Sequence, residues 1–189
     1  MLRSTVSALF LFVASTAQAA DVPPAMTDYI NNVLKGWVND PAIVTAINEQ
    51  NNVTGGLSSD DILAKDLEWR AQVGAATAPL IDNVLNADLS SMLKSQMEGS
   101  GGRILEVFVM DGQGLNVASS GVTSDYWQGD EAKFTETFGK GPGSVFVDEV
   151  ELDESTQAYQ GQVSFAITDP ATGDVVGAIT VGLNASAFF

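Results

Sequence analysis

The densest collection of chemically capable side chains in the sequence is the run Ser124-Asp125-Tyr126-Trp127-Gln128-Gly129-Asp130-Glu131, in which two aromatics stand beside three acids. An aromatic wall next to Asp125 and Asp130 suits a cationic or strongly hydrogen-bonding ligand, through cation–π contact and charge-assisted hydrogen bonds. The same residues also suit a plainer task, in which Tyr126 and Trp127 anchor a following helix to a sheet. Lys133, one helical turn further on, either pairs with Asp130 and neighbouring loop groups or reaches a ligand carboxylate. A second polar set lies on the segment from Tyr159 to Thr168, where alternation puts Val163, Phe165 and Ile167 on one face and Gln160, Gln162, Ser164 and Thr168 on the other. That polar face either meets water or floors a pocket.

The residue types that are missing narrow the chemistry further. The chain has no His and no Cys, which removes Ser-His-Asp and Cys-His catalysis, thiol redox motifs and the usual zinc sites. Carboxylate chemistry survives, as the paired acids of a glycosidase or as oxygen-ligated calcium, but neither leaves a motif. Asp111-Gly112-Gln113-Gly114 lacks further carboxylates at alternating positions and reads as a hairpin turn. Asp148, Glu149, Glu151, Asp153 and Glu154 read as a solvated hairpin tip, with a calcium or partner contact as the alternative. The expectation is a chain that is not an enzyme and needs no cofactor and no metal.

The elements that must position these groups follow from periodicity. Met26, Tyr29, Ile30, Val33, Leu34, Trp37 and Val38 form a helical stripe. Asp40-Pro41 opens a second helix with Ile43, Val44 and Ile47 inward, ending by Thr54-Gly55-Gly56. Ser58 or Ser59 caps a third helix to about Val73, whose apolar face is expected to carry Leu63, Leu67 and Trp69. Residues 82–98 predict a fourth, with Leu85, Leu89, Met92 and Leu93 inward. The period then changes to two, over Ile104 to Met110 and Leu115 to Ser119. A helix over Gly129 to Phe138 follows, and then three strands: Val145 to Leu152, Tyr159 to Thr168 and Val175 to Leu183. Helices, two strands, a helix and three strands describe an α+β fold with a five-stranded antiparallel sheet.

The remaining observations concern compartment and partners. Arg3, the apolar run from Val6 to Ala14, and Ala17-Gln18-Ala19 read as a signal peptide over residues 1–19, cut after Ala19. No later run of about 18 to 20 apolar residues offers a membrane span. The chain is therefore expected to be soluble and periplasmic, with residues 20–102 as a helical region packing on a sheet region over 103–189. A formal net charge of −16 argues against nucleic acid or anionic membrane as partners, since both are bound through clustered Lys and Arg.

The stretch ILEVFVMDGQGLNVASSGVTSDYWQGDEAKF, with VFVDEV, QVSFAI and DVVGAITVGLN after it, resembles the PAS-like sensor domains called Cache or PDC. The resemblance covers about residues 104 to 184, and SDYWQGDEAKF is its most specific part. It implies a small-molecule ligand held between the sheet and the connection carrying Asp125, Tyr126 and Trp127, closed by groups of the third and fourth strands. The candidate ligand-binding residues are then Asp125, Tyr126, Trp127, Asp130, Lys133, Gln162 and Ser164. It also implies a sensor module signalling to a membrane receptor or histidine kinase, although the chain lacks the kinase or methyl-accepting output domain of such receptors. No arginine stands in sequence beside the pocket-forming run. A ligand-free protein-interaction module of the envelope is the alternative, and a carboxylate enzyme a third reading.

Overall fold

The computed structural model describes residues 22–153 and 158–189, so the expected signal peptide over 1–19 lies outside the described residues, as does Glu154. The first helical stretch comprises α1 (Pro24–Tyr29), a π-helical turn over Ile30–Leu34, and α2 (Lys35–Trp37). Met26, Ile30, Leu34 and Val38 are all buried while Val33 is exposed. Those buried positions repeat every four residues, and a strict four-residue stripe drifts around a helix of about 3.6 residues per turn. The wider π turn brings the stripe back onto the sheet.

Helix α3 (Pro41–Thr54) starts as expected, with the Asp40 carboxylate accepting the Ala42 N–H at 2.8 Å. Helix α4 (Ser59–Gln72) opens on a capping box between Ser58 and Asp61. Its buried face is Ile62, Asp66 and Trp69, whereas Leu63 and Leu67 face outward. The expected leucine face is thus corrected: the inward stripe runs through a carboxylate, and Leu63 and Leu67 lie one position round the helix from it. The expected helix over 82–98 is two helices, α5 (Pro79–Leu85) and α6 (Asp88–Gly99). They pack on different clusters, Ile81 and Val84 around Trp69, Leu89 and Leu93 on the sheet. The Ser90 hydroxyl donates to the Val84 carbonyl at 2.6 Å across the break.

The sheet is antiparallel throughout, in the order β2 (Asn116–Ser119), β1 (Ile104–Met110), β6 (Val175–Asn184), β5 (Ala158–Thr168), β3 (Val145–Val147). The expected strand from Val145 to Leu152 is interrupted: β3 and β4 (Glu151–Asp153) both pair with β5, leaving Asp148 to Val150 between them. The fold is α+β, helices followed by an antiparallel sheet whose fifth position is shared by two short strands. The helix expected over 129–138 shortens to α7 (Ala132–Thr135) and a 3₁₀ turn over Phe138–Lys140. Among the described residues no helix is long and apolar enough to cross a membrane.

One face of the sheet is sealed. Val107, Val109, Val163, Phe165, Ile167, Ile179, Val181 and Leu183 meet Met26, Ile30, Leu34, Ile43, Ile47, Leu89 and Leu93 in one cluster. Asn48 of α3 donates to Asp169 at the β5–β6 turn at 2.8 Å. The Ala171 N–H and then the Asn48 amide hold the Asp169 carboxyl below its usual range.

Candidate functional site

The connection carrying Asp125, Tyr126 and Trp127 lies against the flank of β2 and is clasped by α4. The Asp66 carboxylate, buried, accepts the backbone N–H of Tyr126 at 2.9 Å and of Trp127 at 3.0 Å. Arg70, one turn on, bridges Asp66 at 2.7 Å and Asp125 at 2.8 Å. The structure therefore does place an arginine beside this run, brought from a distant part of the sequence. Tyr126 stacks on Trp69, with ring centroids 5.4 Å apart. Burial, with the charges of Asp111 and Glu68, pushes its phenol up to about 12. The Trp127 indole N–H donates to the Gln113 carbonyl at 2.8 Å, and Gly129 lies so close to that indole that a Cβ there would collide with it. Trp127 and Asp125 thus fasten the loop, and Asp130 is exposed.

Asp111 forms a second closed system. It is fully buried and accepts from the Thr54 hydroxyl at 2.6 Å, the Gln50 amide at 2.9 Å, and the backbone N–H groups of Gln113 and Leu115 at 2.9 Å. The carboxylate of the DGQG turn ties that turn to α3.

Gln162, Ser164 and Lys133 stand elsewhere, on the sheet face opposite the sealed one. The register puts Glu106, Gly182 and Gln162 in one row across β1, β6 and β5, and Phe108, Thr180 and Ser164 in the next. Glu106 Oε1 accepts the amide N–H groups of both Gln160 and Gln162, the latter at 2.9 Å. Gly182 leaves room for this arrangement: a Cβ there would stand 2.6 Å from Glu106 Cγ and 2.7 Å from Gln160 Nε2. Ser164 and Thr180, both fully buried, share a hydrogen bond of 2.9 Å.

Gln160 is buried, its amide nitrogen is committed to Glu106, and its Oε1 has no partner among the described residues. A buried acceptor left unmade costs about 1–3 kcal/mol, and Asn116 Oδ1 on β2 is in the same state. At the end of this face α7 closes in. Phe134 and Phe138 stack and pack with Phe108, Met110 and Ala178. Lys133 sits 5.4 Å over the Phe108 ring, paired to Glu131 at 2.9 Å and donating to Gln128 at 3.3 Å.

The seven sequence candidates thus divide. Asp125, Tyr126 and Trp127 gather at the β2 flank; Lys133, Gln162 and Ser164 gather on the polar sheet face; Asp130 joins neither. Glu106, Gln160, Thr180 and Gly182 were missing from the set. Glu106 carried a readable signal, as the one carboxylate within the apolar strand ILEVFVM.

No protein-family model and no curated protein matches the sequence. Solved structures that it is similar to include sensor and ligand-binding domains of histidine kinases and chemoreceptors. The V. cholerae histidine kinase DctB sensor domain is 14% identical, with 85% of this chain and 59% of that one covered and a TM-score of 0.43. The ligand-binding domain of the Campylobacter jejuni chemoreceptor Tlp3, in complex with 4-methylisoleucine, is 14% identical over 81% of this chain and 64% of that one, with a TM-score of 0.43. The ligand-binding domain of the Pseudomonas aeruginosa PAO1 amino acid chemoreceptor PctC, in complex with GABA, is 12% identical over 82% and 62%, with the same TM-score of 0.43. The chain spans less than two thirds of the length of each of these domains.

Proposed function

We propose that this chain is a non-catalytic, small-molecule-binding sensor module of the bacterial envelope. It is exported by its first 19 residues and acts as one unit from residue 20 onward. Its ligand lies on the polar sheet face and carries N–H donors. One observation carries this reading: Gln160 Oε1, buried and without a donor among the described residues, beside a Glu106 carboxylate that two amides hold in place. A ligand ammonium or amidinium placed there would complete the Gln160 acceptor and neutralise Glu106. Ser164, Thr180 and Gln162 supply further polar groups, and Phe108 an apolar wall. The bound state would then be read by a membrane receptor or kinase.

The test is a thermal-shift and calorimetry panel of amines, amino acids, carboxylates and nucleobases on the whole protein. An N–H-bearing cation should raise the midpoint, by mass action, and Glu106→Gln should abolish the rise. Stabilisation by no compound, or stabilisation that survives both Glu106→Gln and Gln160→Leu, overturns the proposal. A protein-interaction module is the second reading, favoured by the exposed Val145, Val147 and Leu152 along the outer edge of the sheet, with exposed Tyr159 of β5 paired to Leu152. Capture of an envelope protein that is lost in Val147→Asp and unchanged in Glu106→Gln would favour it.

A further inference from the structure

The opposite flank of the molecule holds a groove of about 690 Å³ between α3, α4, the first turn of α6 and β2. That is the size of a small-molecule pocket, which spans roughly 300–1,000 Å³. Its inner wall is made by Tyr126, Val117, Leu89 and Thr54, all buried. Lys65 of α4 is its one lining cation and forms no ion pair among the described residues.

Residues from three elements that carry donors line this space. The Tyr126 hydroxyl, on a side chain only 6% exposed, makes no hydrogen bond among the described residues. Its phenol stays protonated well past neutral pH, so it can only be a neutral donor or acceptor there. Lys65 brings an ammonium. Helix α6 begins at Ala87 and Asp88 on the groove wall with no side-chain cap, so its first N–H groups are open, although the Asp88 carboxylate in its first turn offsets part of the positive end. Against the opposing field of Asp111 and Glu68 at the Tyr126 phenol, all three are donors to an anionic oxygen. Leu89 and Val117 favour an apolar body behind it. Glu49 and Asp88, exposed at the mouth, disfavour a second negative charge.

We infer that this groove is a second ligand site, distinct from the polar sheet face, that takes a small monocarboxylate with an apolar body, its carboxylate held between Lys65, the Tyr126 hydroxyl and the start of α6.

Isothermal titration of the whole protein with acetate, butyrate, hexanoate, benzoate, succinate and hexylamine tests it. Affinity should rise from acetate to hexanoate or benzoate, with succinate and hexylamine weaker than either. Tyr126→Phe, which keeps the ring on Trp69, should weaken benzoate binding roughly tenfold, and Lys65→Met at least as much, since each removes one strong hydrogen bond to the anion. Both variants should keep the wild-type far-ultraviolet spectrum, and Glu106→Gln should leave benzoate binding untouched, separating this site from the one on the sheet face. Absence of binding by any monocarboxylate, tighter binding of succinate, or wild-type affinity in Lys65→Met overturns the inference.

Discussion

Two regions of this molecule hold carboxylates in hydrogen-bond networks, the buried Asp66 and Asp111 in one and the half-buried Glu106 in the other, and they treat them differently. At the β2 flank, Asp66 meets two backbone N–H groups and Arg70, and Asp111 meets a hydroxyl, an amide and two backbone N–H groups. Every donor is supplied by the fold. On the polar sheet face, Glu106 meets two glutamine amides, but the row stops with Gln160 Oε1 unmade among the described residues. Closed networks fasten loops to helices. An orphan acceptor stands beside each region, Asn116 Oδ1 at the β2 flank and Gln160 Oε1 on the sheet face, both buried and without a partner among the described residues, but only the second belongs to a side chain bonded to a carboxylate.

Asp66→Ala has the largest expected effect. It strips the acceptor from two backbone N–H groups and leaves Arg70 with Asp125 only, so urea denaturation should show a loss of about 3 kcal/mol. A loss under about 1 kcal/mol would mean the clasp is as dispensable as the row on the sheet.

Alkaline pH comes next, and it acts on the residue the clasp holds. Folded Tyr126 keeps its proton until pH about 12, whereas an unfolded tyrosine releases it near 10. Between those values the unfolded state binds fewer protons, so stability falls as pH rises. The stability present below pH about 10 should drop by about 2–3 kcal/mol by pH 12 through this group. Denaturation curves at rising pH should show a correspondingly smaller drop in Tyr126→Phe.

Thr180→Val is the third test, on the sheet face. It leaves Ser164 fully buried without its partner, and the expected cost is about 1–2 kcal/mol. Smallest of all is Gln160→Leu, which at similar volume deletes both the orphan acceptor and one of the two donors to Glu106, two changes of opposite sign. Stability should change by less than about 1 kcal/mol, in either direction, while binding of an N–H-bearing cation is lost. A large destabilisation there would place Gln160 with the closed networks instead.

Much of the fold was legible because it is local. Period-two alternation located the strands, and Asp40-Pro41 and Ser58 marked two helix starts. What misled was a buried charge on a helix: with Asp66 in the inward stripe, Leu63 and Leu67 make the more convincing apolar face, although both are exposed. The break between α5 and α6 was hidden because Leu85, Leu89, Met92 and Leu93 keep helical spacing across it. Half of the site was harder still. The alternation of Gln160, Gln162 and Ser164 was visible, but their meeting with Glu106 and Thr180 depends on the register of three strands. The Arg70–Asp125 pair has no local signature at all, because α4 and the loop come together only in the folded chain.

The interruption between β3 and β4 has a consequence for behaviour in a crowded solution. A fibril grows by adding strand upon strand along an uninterrupted ladder of backbone groups. The outer edge of this sheet offers a newcomer three residues at Val145–Val147, then the acids Asp148 and Glu149, then a second short piece. Exposed valines there give the edge some adhesiveness, yet no long register on which a seed could lengthen. Together with a formal charge of −16, the broken edge should let the protein be concentrated without polymerising.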